Sequence, residues 1–216
     1  MEQTIYCISG LGADEQIFTK LNLRGYKLKH IPWLEPIKGE TMEEYAVRMG
    51  SLIKEDNAVL IGVSFGGMMA IEIAKQKHLK KLILVSSIKS TAELPYWMKV
   101  AGKLKLDKVL PLRPIKLTEK IADYRLGVSN EEEKQMANGY RKAANMVYLE
   151  WAVNQAINWK NNWQPDHIVH IHGDKDRIFP VKRITSAIVI KEGTHMMIYN
   201  RADEISNIIL KELTAA

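Results

Sequence analysis

An α/β fold on a mostly parallel sheet is predicted by three observations. Short β-rich runs alternate with helix-patterned stretches through the first 87 residues. The run Ala58–Val63 is apolar throughout, as a central strand covered on both faces must be. The alternation resumes after residue 165, following a long helical interruption. Strands alternating with helices imply right-handed crossovers and a sheet with helices on both faces.

The elements follow in order. Thr4 to Ser9 is a β-rich run stopped by Gly10-Leu11-Gly12. Tyr26 to Trp33 is a second candidate strand, bounded by Pro32 and Pro36. Thr41 and Glu44 stand at the two positions of a capping box, predicting a helix from there to about Glu55. Ala58 to Val63 is the third strand. Met68 to Lys77 has helical spacing, with Met68, Ile71 and Ala74 on one face. Lys81 to Ser86, Ile168 to His172 and Ala187 to Ile190 complete the strands, and a closing helix is expected from Met197 to about Leu213.

Residues 88–165 break the rhythm: they are helical in pattern and offer no convincing strand. The predicted organisation is therefore a core of residues 1–87 and 166–216 with residues 88–165 as a helical insertion. Four of the five tryptophans, Trp97, Trp151, Trp159 and Trp163, fall in it. A lid is one reading; extra helices packed for stability is the other.

The chain has 216 residues, 46% hydrophobic and 26% charged, enough for one domain with a sizeable core. Its single cysteine, Cys7, lies in the strand-like run Ile5-Tyr6-Cys7-Ile8 and reads as a buried residue; no internal disulfide is possible. The start Met1-Glu2-Gln3-Thr4 lacks the basic-then-apolar pattern of a signal peptide, and no window of about 18 apolar residues occurs. A cytoplasmic protein without membrane insertion is expected. The formal net charge is +6, and most of it lies between Lys89 and Pro165, with 13 basic against 8 acidic residues. No nucleic-acid-binding motif accompanies it, so nucleic acid is not an expected partner.

The strand Ala58–Val63 runs directly into Gly62-Val63-Ser64-Phe65-Gly66-Gly67. A serine hydroxyl needs an adjacent base, an oxyanion site and open access before it becomes a nucleophile. A tight strand-to-helix turn supplies the access, provided the residues two places either side are small. Gly62 and Gly66 meet that demand around Ser64, and Gly67 permits close helix packing. A helix N-terminus there also favours developing negative charge.

With this motif between a buried strand and a helix, the chain resembles an α/β-hydrolase. The resemblance extends downstream. Gly173-Asp174-Lys175-Asp176 follows IVHIH and is similar to the family's acid loop, which implies Asp176 as the acid, with Asp174 as the alternative. Gly193-Thr194-His195 follows AIVI and implies His195 as the base. His30 and His78 precede the acid segment. His167, His170 and His172 lie on or beside a strand, without the further ligands a metal site would need. The loop Ser9-Gly10-Leu11-Gly12 resembles the family's His-Gly-x-Gly loop, with Ser9 in place of the histidine. It implies backbone N–H groups of Leu11 and Phe65 as the oxyanion hole. The family's usual first two strands have no counterpart, which implies a sheet of about six strands with a helical lid.

The resemblance implies acyl transfer to water on a small-molecule ester or thioester, with no cofactor and no metal. Phe18, Met68, Met98, Tyr148 and Trp151 are candidates for an apolar pocket, or alternatively core residues. The run Lys99 to Lys120 carries seven basic residues. It reads as a solvated helix face, a device attracting an anionic substrate, or a contact with a membrane surface. Two other functions fit the same fold: a non-hydrolytic lyase using the three residues as acid and base, and a catalytically silent ligand-binding protein.

Overall fold

The computed structural model describes residues 3–105 and 116–215. The middle of the basic run, residues 106–115, lies outside the described residues. Six parallel strands form one sheet: β1 (Gln3–Ile8), β2 (Tyr26–His30), β3 (Ala58–Val63), β4 (Leu79–Val85), β5 (Ile168–Gly173) and β6 (Ile188–Ile190). Their order is β2-β1-β3-β4-β5-β6. From β1 the chain first builds outward to β2, then crosses back to β3 and continues the other way. The carboxyl ends of β1 and β3 therefore flank the switch point, where open α/β sheets leave a crevice.

Burial follows position in the sheet. All six residues of β3 are buried, whereas the edge strand β2, Tyr-Lys-Leu-Lys-His, alternates exposed lysines with half-buried residues. The period of two in β1 sends Tyr6 and Ile8 to one core and Ile5 and Cys7 to the other. The first core is completed by α1 (Met42–Gly50) and α2 (Phe65–Ala74). The second is completed by α7 (Met197–Asn200) and α8 (Ala202–Thr214). Cys7 is buried in it, and burial pushes its thiol well above the ordinary value.

Several expected boundaries shift. Helix α1 has the full capping box at Thr41 and Glu44, but ends at Gly50 rather than near Glu55. Tight turns from Leu52 N–H to Met49 O and Ile53 N–H to Gly50 O replace its last turn. Helix α2 runs from Phe65 to Ala74 rather than from Met68 to Lys77; Met68, Ile71 and Ala74 pack in the first core, and the helix is buried on every side through Ile73. Even Glu72 is fully buried there, held by Lys75 Nζ at 2.7 Å and Trp159 Nε1 at 2.8 Å. The closing helix is broken in two at Arg201.

Between β4 and β5 lie α3 (Tyr96–Lys103), α4 (Lys116–Leu126), α5 (Glu131–Ala143) and α6 (Met146–Asn158). Helix α5 is written as a helix should be, with Asn130 as N-cap, Glu131, Glu132 and Glu133 in its first turn and Arg141 and Lys142 in its last. The two ends of the insertion are tied at a neck. Thr91 N–H donates to Asn161 O and Asn161 N–H to Thr91 Oγ1, both at 2.7 Å, and Asn161 Nδ2 donates to Lys89 O at 2.8 Å.

Because Thr41 Oγ1 accepts the N–H of Glu44 while the Glu44 carboxylate accepts the N–H of Thr41, Thr41→Ala is expected to remove about 1 kcal/mol of stability. Urea unfolding of the two proteins at one pH measures it; an unchanged midpoint would refute the capping role.

Candidate active site

Ser64 joins β3 to α2 with φ 53° and ψ −120°, a left-handed backbone that an L-residue rarely adopts. The turn is possible because its neighbours lack side chains. A Cβ on Gly62 would stand 2.5 Å from Gly66 O, and one on Gly66 would stand 2.3 Å from Ser9 O. The strained residue is held at both ends: its N–H donates to Val85 O at 3.0 Å, and its carbonyl accepts Gly67 N–H at 2.9 Å and Ser87 Oγ at 2.6 Å.

Asp176 leaves the loop after β5, and His195 the loop between β6 and α7. These two loops bring both to Ser64. His195 Nε2 lies 2.8 Å from Ser64 Oγ, and His195 Nδ1 lies 2.7 Å from Asp176 Oδ2. A carboxylate only accepts, so Nδ1 carries the proton and Nε2 is left to accept from the serine hydroxyl. Asp176 is itself clamped: its Oδ1 accepts the N–H groups of Ile178 and Phe179, each at 2.8 Å. Burial alone would raise its carboxyl; the neighbouring His195, with its hydrogen bond, and His172 outweigh that and hold it below the ordinary aspartate value. Asp174, the alternative acid, makes no contact with His195 among the described residues; its N–H donates to Ile190 O at 3.1 Å.

Behind the acid stand two buried histidines. His172 Nε2–H donates to Phe179 O at 2.7 Å and lies 3.6 Å from Asp176 Oδ2; His170 Nε2–H donates to Ser87 O at 3.0 Å. The Nδ1 atoms of both are buried with no hydrogen-bond partner, so a second proton would have nowhere to donate. Burial first, then the nearby His172, pushes His170 down to about 3; burial likewise lowers His172. Among the described residues, no three His, Cys, Asp or Glu side chains are grouped to hold a metal.

The loop after β1 packs against the serine, with the Cα hydrogen face of Gly10 toward Ser64 Cβ. Among the described residues, neither the Leu11 nor the Phe65 backbone N–H is taken by a protein acceptor. Ser9, standing in place of the histidine, anchors this loop. Ser9 Oγ donates to Ala13 O at 2.6 Å and accepts from Trp33 Nε1 at 3.2 Å. Trp33 Nε1 also reaches Gly10 O at 3.2 Å, and its ring stacks on Phe65 at 5.4 Å. Trp33 therefore bridges the segments that carry the two N–H groups. Its only signal in the sequence was that it is the one tryptophan outside the insertion.

A cavity of about 450 Å³ opens at Ser64 and His195. Met68 and Met98 line it; Phe18, Tyr148 and Trp151 do not. Phe18 follows Ile17 in a tight 3-10 turn; both pack in the second core, and only Ile17 also reaches the cavity. On α6 the cavity-facing residues are Leu149 and Ala156, seven apart. Tyr148 and Trp151 face the other way, against Trp33 at 5.2 Å and Tyr45 at 4.2 Å, where Trp151 Nε1 donates to Glu40 O. Of the four insertion tryptophans, only Trp97 lines the cavity. A larger hollow of about 650 Å³ beside Lys20 and Asp203 is polar and contains none of Ser64, Asp176 or His195.

The two buried histidines make stability depend on pH. With folded values below the ordinary 6.5, the unfolded chain binds protons that the folded chain refuses. Stability is full above about pH 6.5 and falls as pH drops toward the folded values, at up to ~1.4 kcal/mol per pH unit for each histidine. Urea unfolding between pH 7 and pH 5 should show this slope, and His170→Gln, which keeps a donor for Ser87 O, should make it shallower. A slope identical in the variant would contradict the buried neutral state of His170.

No protein-family model matches the chain, and no curated protein does. Solved structures do. A hydrolase from Pseudomonas aeruginosa superposes with a TM-score of 0.78 at 13% identity, over 98% of this chain and 90% of the other. A thermophilic esterase from Thermogutta terrifontis, malate bound, gives 0.73 at 15% identity, over 99% and 90%. An α/β-hydrolase-fold protein from Burkholderia ambifaria gives 0.72 at 12%, over 98% and 91%. With its six parallel strands, its flanking helices and these likenesses along nearly its whole length, the chain has the α/β-hydrolase fold.

Proposed function

We propose that the protein is a serine hydrolase that cleaves a carboxylic ester or thioester of a small, largely apolar substrate through an acyl-enzyme at Ser64. The observation that carries this reading is the continuous pair of contacts from Asp176 through His195 to Ser64, at 2.7 and 2.8 Å. In the first half-reaction Ser64 Oγ attacks the acyl carbon as His195 Nε2 takes its proton. The oxyanion is received by the N–H groups of Leu11 and Phe65, and the Asp176 carboxylate stabilises the imidazolium. Collapse breaks the bond to the leaving alcohol or thiol, which takes the proton back from His195. A water then repeats the sequence on the acyl-enzyme and releases the acid.

The cavity supports an apolar substrate, since methionine, leucine, alanine and phenylalanine make up much of its wall. Residues 88–165 act as a lid in this reading, because α3, α5 and α6 supply Trp97, Met98, Ala137 and Leu149 to that wall. The neck at Thr91 and Asn161 holds its base.

A fluorophosphonate probe should label Ser64 stoichiometrically, identified by mass spectrometry of its peptide, and Ser64→Ala and His195→Ala should both abolish labelling. Turnover of p-nitrophenyl esters should accompany it, and Asp176→Asn should lower kcat by roughly 10³- to 10⁴-fold through the wrong imidazole tautomer. A folded protein that is not labelled would favour a silent binder. Labelling without turnover of any ester would leave a lyase in its place.

A further inference from the structure

Helix α4 presents Ala122, Arg125 and Leu126 to the cavity, the stripe at i, i+3 and i+4. Its apolar Ile121 and Tyr124 are exposed instead. An arginine thus stands at the cavity's rim, exposed to solvent, on the same helical stripe as Ala122 and Leu126. Among the described residues, no aspartate or glutamate lines the cavity, whereas two arginines do. Arg141 is already satisfied by the carboxylate of Asp123 and by Asn138 Oδ1 at 2.7 Å. Arg125 has no carboxylate partner among the described residues; its guanidinium lies over the Trp97 ring at 4.5 Å from the centroid. Stacking uses the face of the guanidinium and leaves its in-plane N–H groups for a planar oxyanion. Trp97 lines the same cavity.

We propose that Arg125, stacked on Trp97, recognises a carboxylate at the far end of the substrate's acyl arm, so that the preferred substrates are half-esters of dicarboxylic acids. The proposal rests on the hydrolase reading above and names the substrate class of that site. Ser64 and Arg125 line one cavity, whose other lining residues are mostly apolar, as a methylene chain requires. Carboxylate and guanidinium pair through two parallel N–H···O bonds, a geometry that a lysine cannot reproduce. Because Arg125 is exposed, the gain is modest, about fivefold in affinity or kcat/KM, as for a well-oriented pair open to solvent.

Mono-p-nitrophenyl succinate, glutarate and adipate are compared with their methyl-capped neutral diesters on the full chain. The ratio of kcat/KM, anionic over neutral, should exceed one at the best chain length by about fivefold, shrink with added salt, and collapse toward one in Arg125→Gln. Arg125→Lys should recover only part of the ratio, and Trp97→Phe most of it. A ratio of one in the parent protein, or one that survives in Arg125→Gln, overturns the proposal. Calorimetric binding of monoethyl and diethyl adipate to Ser64→Ala, with and without Arg125→Gln, reads the same contact without any chemistry. An Arg125-dependent preference for the monoanion there, while the parent protein turns over no ester, would retain the anion site and reject the hydrolase reading. Equal binding of both ligands alongside turnover of neutral esters would do the opposite.

Discussion

The backward-bent backbone of Ser64 is the constraint on which the arrangement at the sheet's rim depends. A residue at φ 53° outside glycine costs on the order of 1–3 kcal/mol, so it persists only where its surroundings over-determine it. Here they do. Val85 O holds the N–H, and Gly67 N–H with Ser87 Oγ holds the carbonyl. Gly62 and Gly66 let β3, α2 and the end of β1 approach to distances at which any side chain would collide with backbone. The same close approach seats the β1 loop beside the serine. One local distortion therefore places the hydroxyl at the start of α2, with the β1 loop packed beside it.

Around it, polar groups are buried in pairs and chains instead of singly. Asp176 is enclosed by four donors or near-donors: two backbone N–H groups, His195 and His172. Glu93, fully enclosed near the neck, accepts from Lys89 N–H and from the N–H and hydroxyl of Thr185. Glu72 takes Lys75 and the indole of Trp159. Leaving any of these carboxylates unpaired would cost several kcal/mol. The last two tie the insertion to the β5–β6 connection and to α2, so the helices over the cavity are anchored to the same scaffold that positions the serine.

How far the sequence could be read depended on whether a feature is local. Alternation of apolar runs located all six strands within a residue or three of their ends, because period and burial are written in each strand separately. The capping box at Thr41 and Glu44 is equally local. The glycines around Ser64 announced a turn because a turn is decided by its own neighbours. Which wall a side chain joins is different. Phe18 and Ile17 are adjacent, apolar and packed in one core, and Tyr148 and Leu149 likewise, yet in each pair only one also lines the cavity.

What the residue order determined by itself was the parallel α/β scaffold and the set of strand ends at which reactive side chains could stand. Hydrophobic periodicity and turn chemistry act over a few neighbours and leave their mark in the sequence. Only the tertiary structure decided that Ser64, Asp176 and His195 meet, that Trp33 ties two distant segments together, and that Arg125 shares a cavity with the serine. Those are contacts between residues far apart along the chain, set by how helices and loops pack, and packing depends on every partner at once.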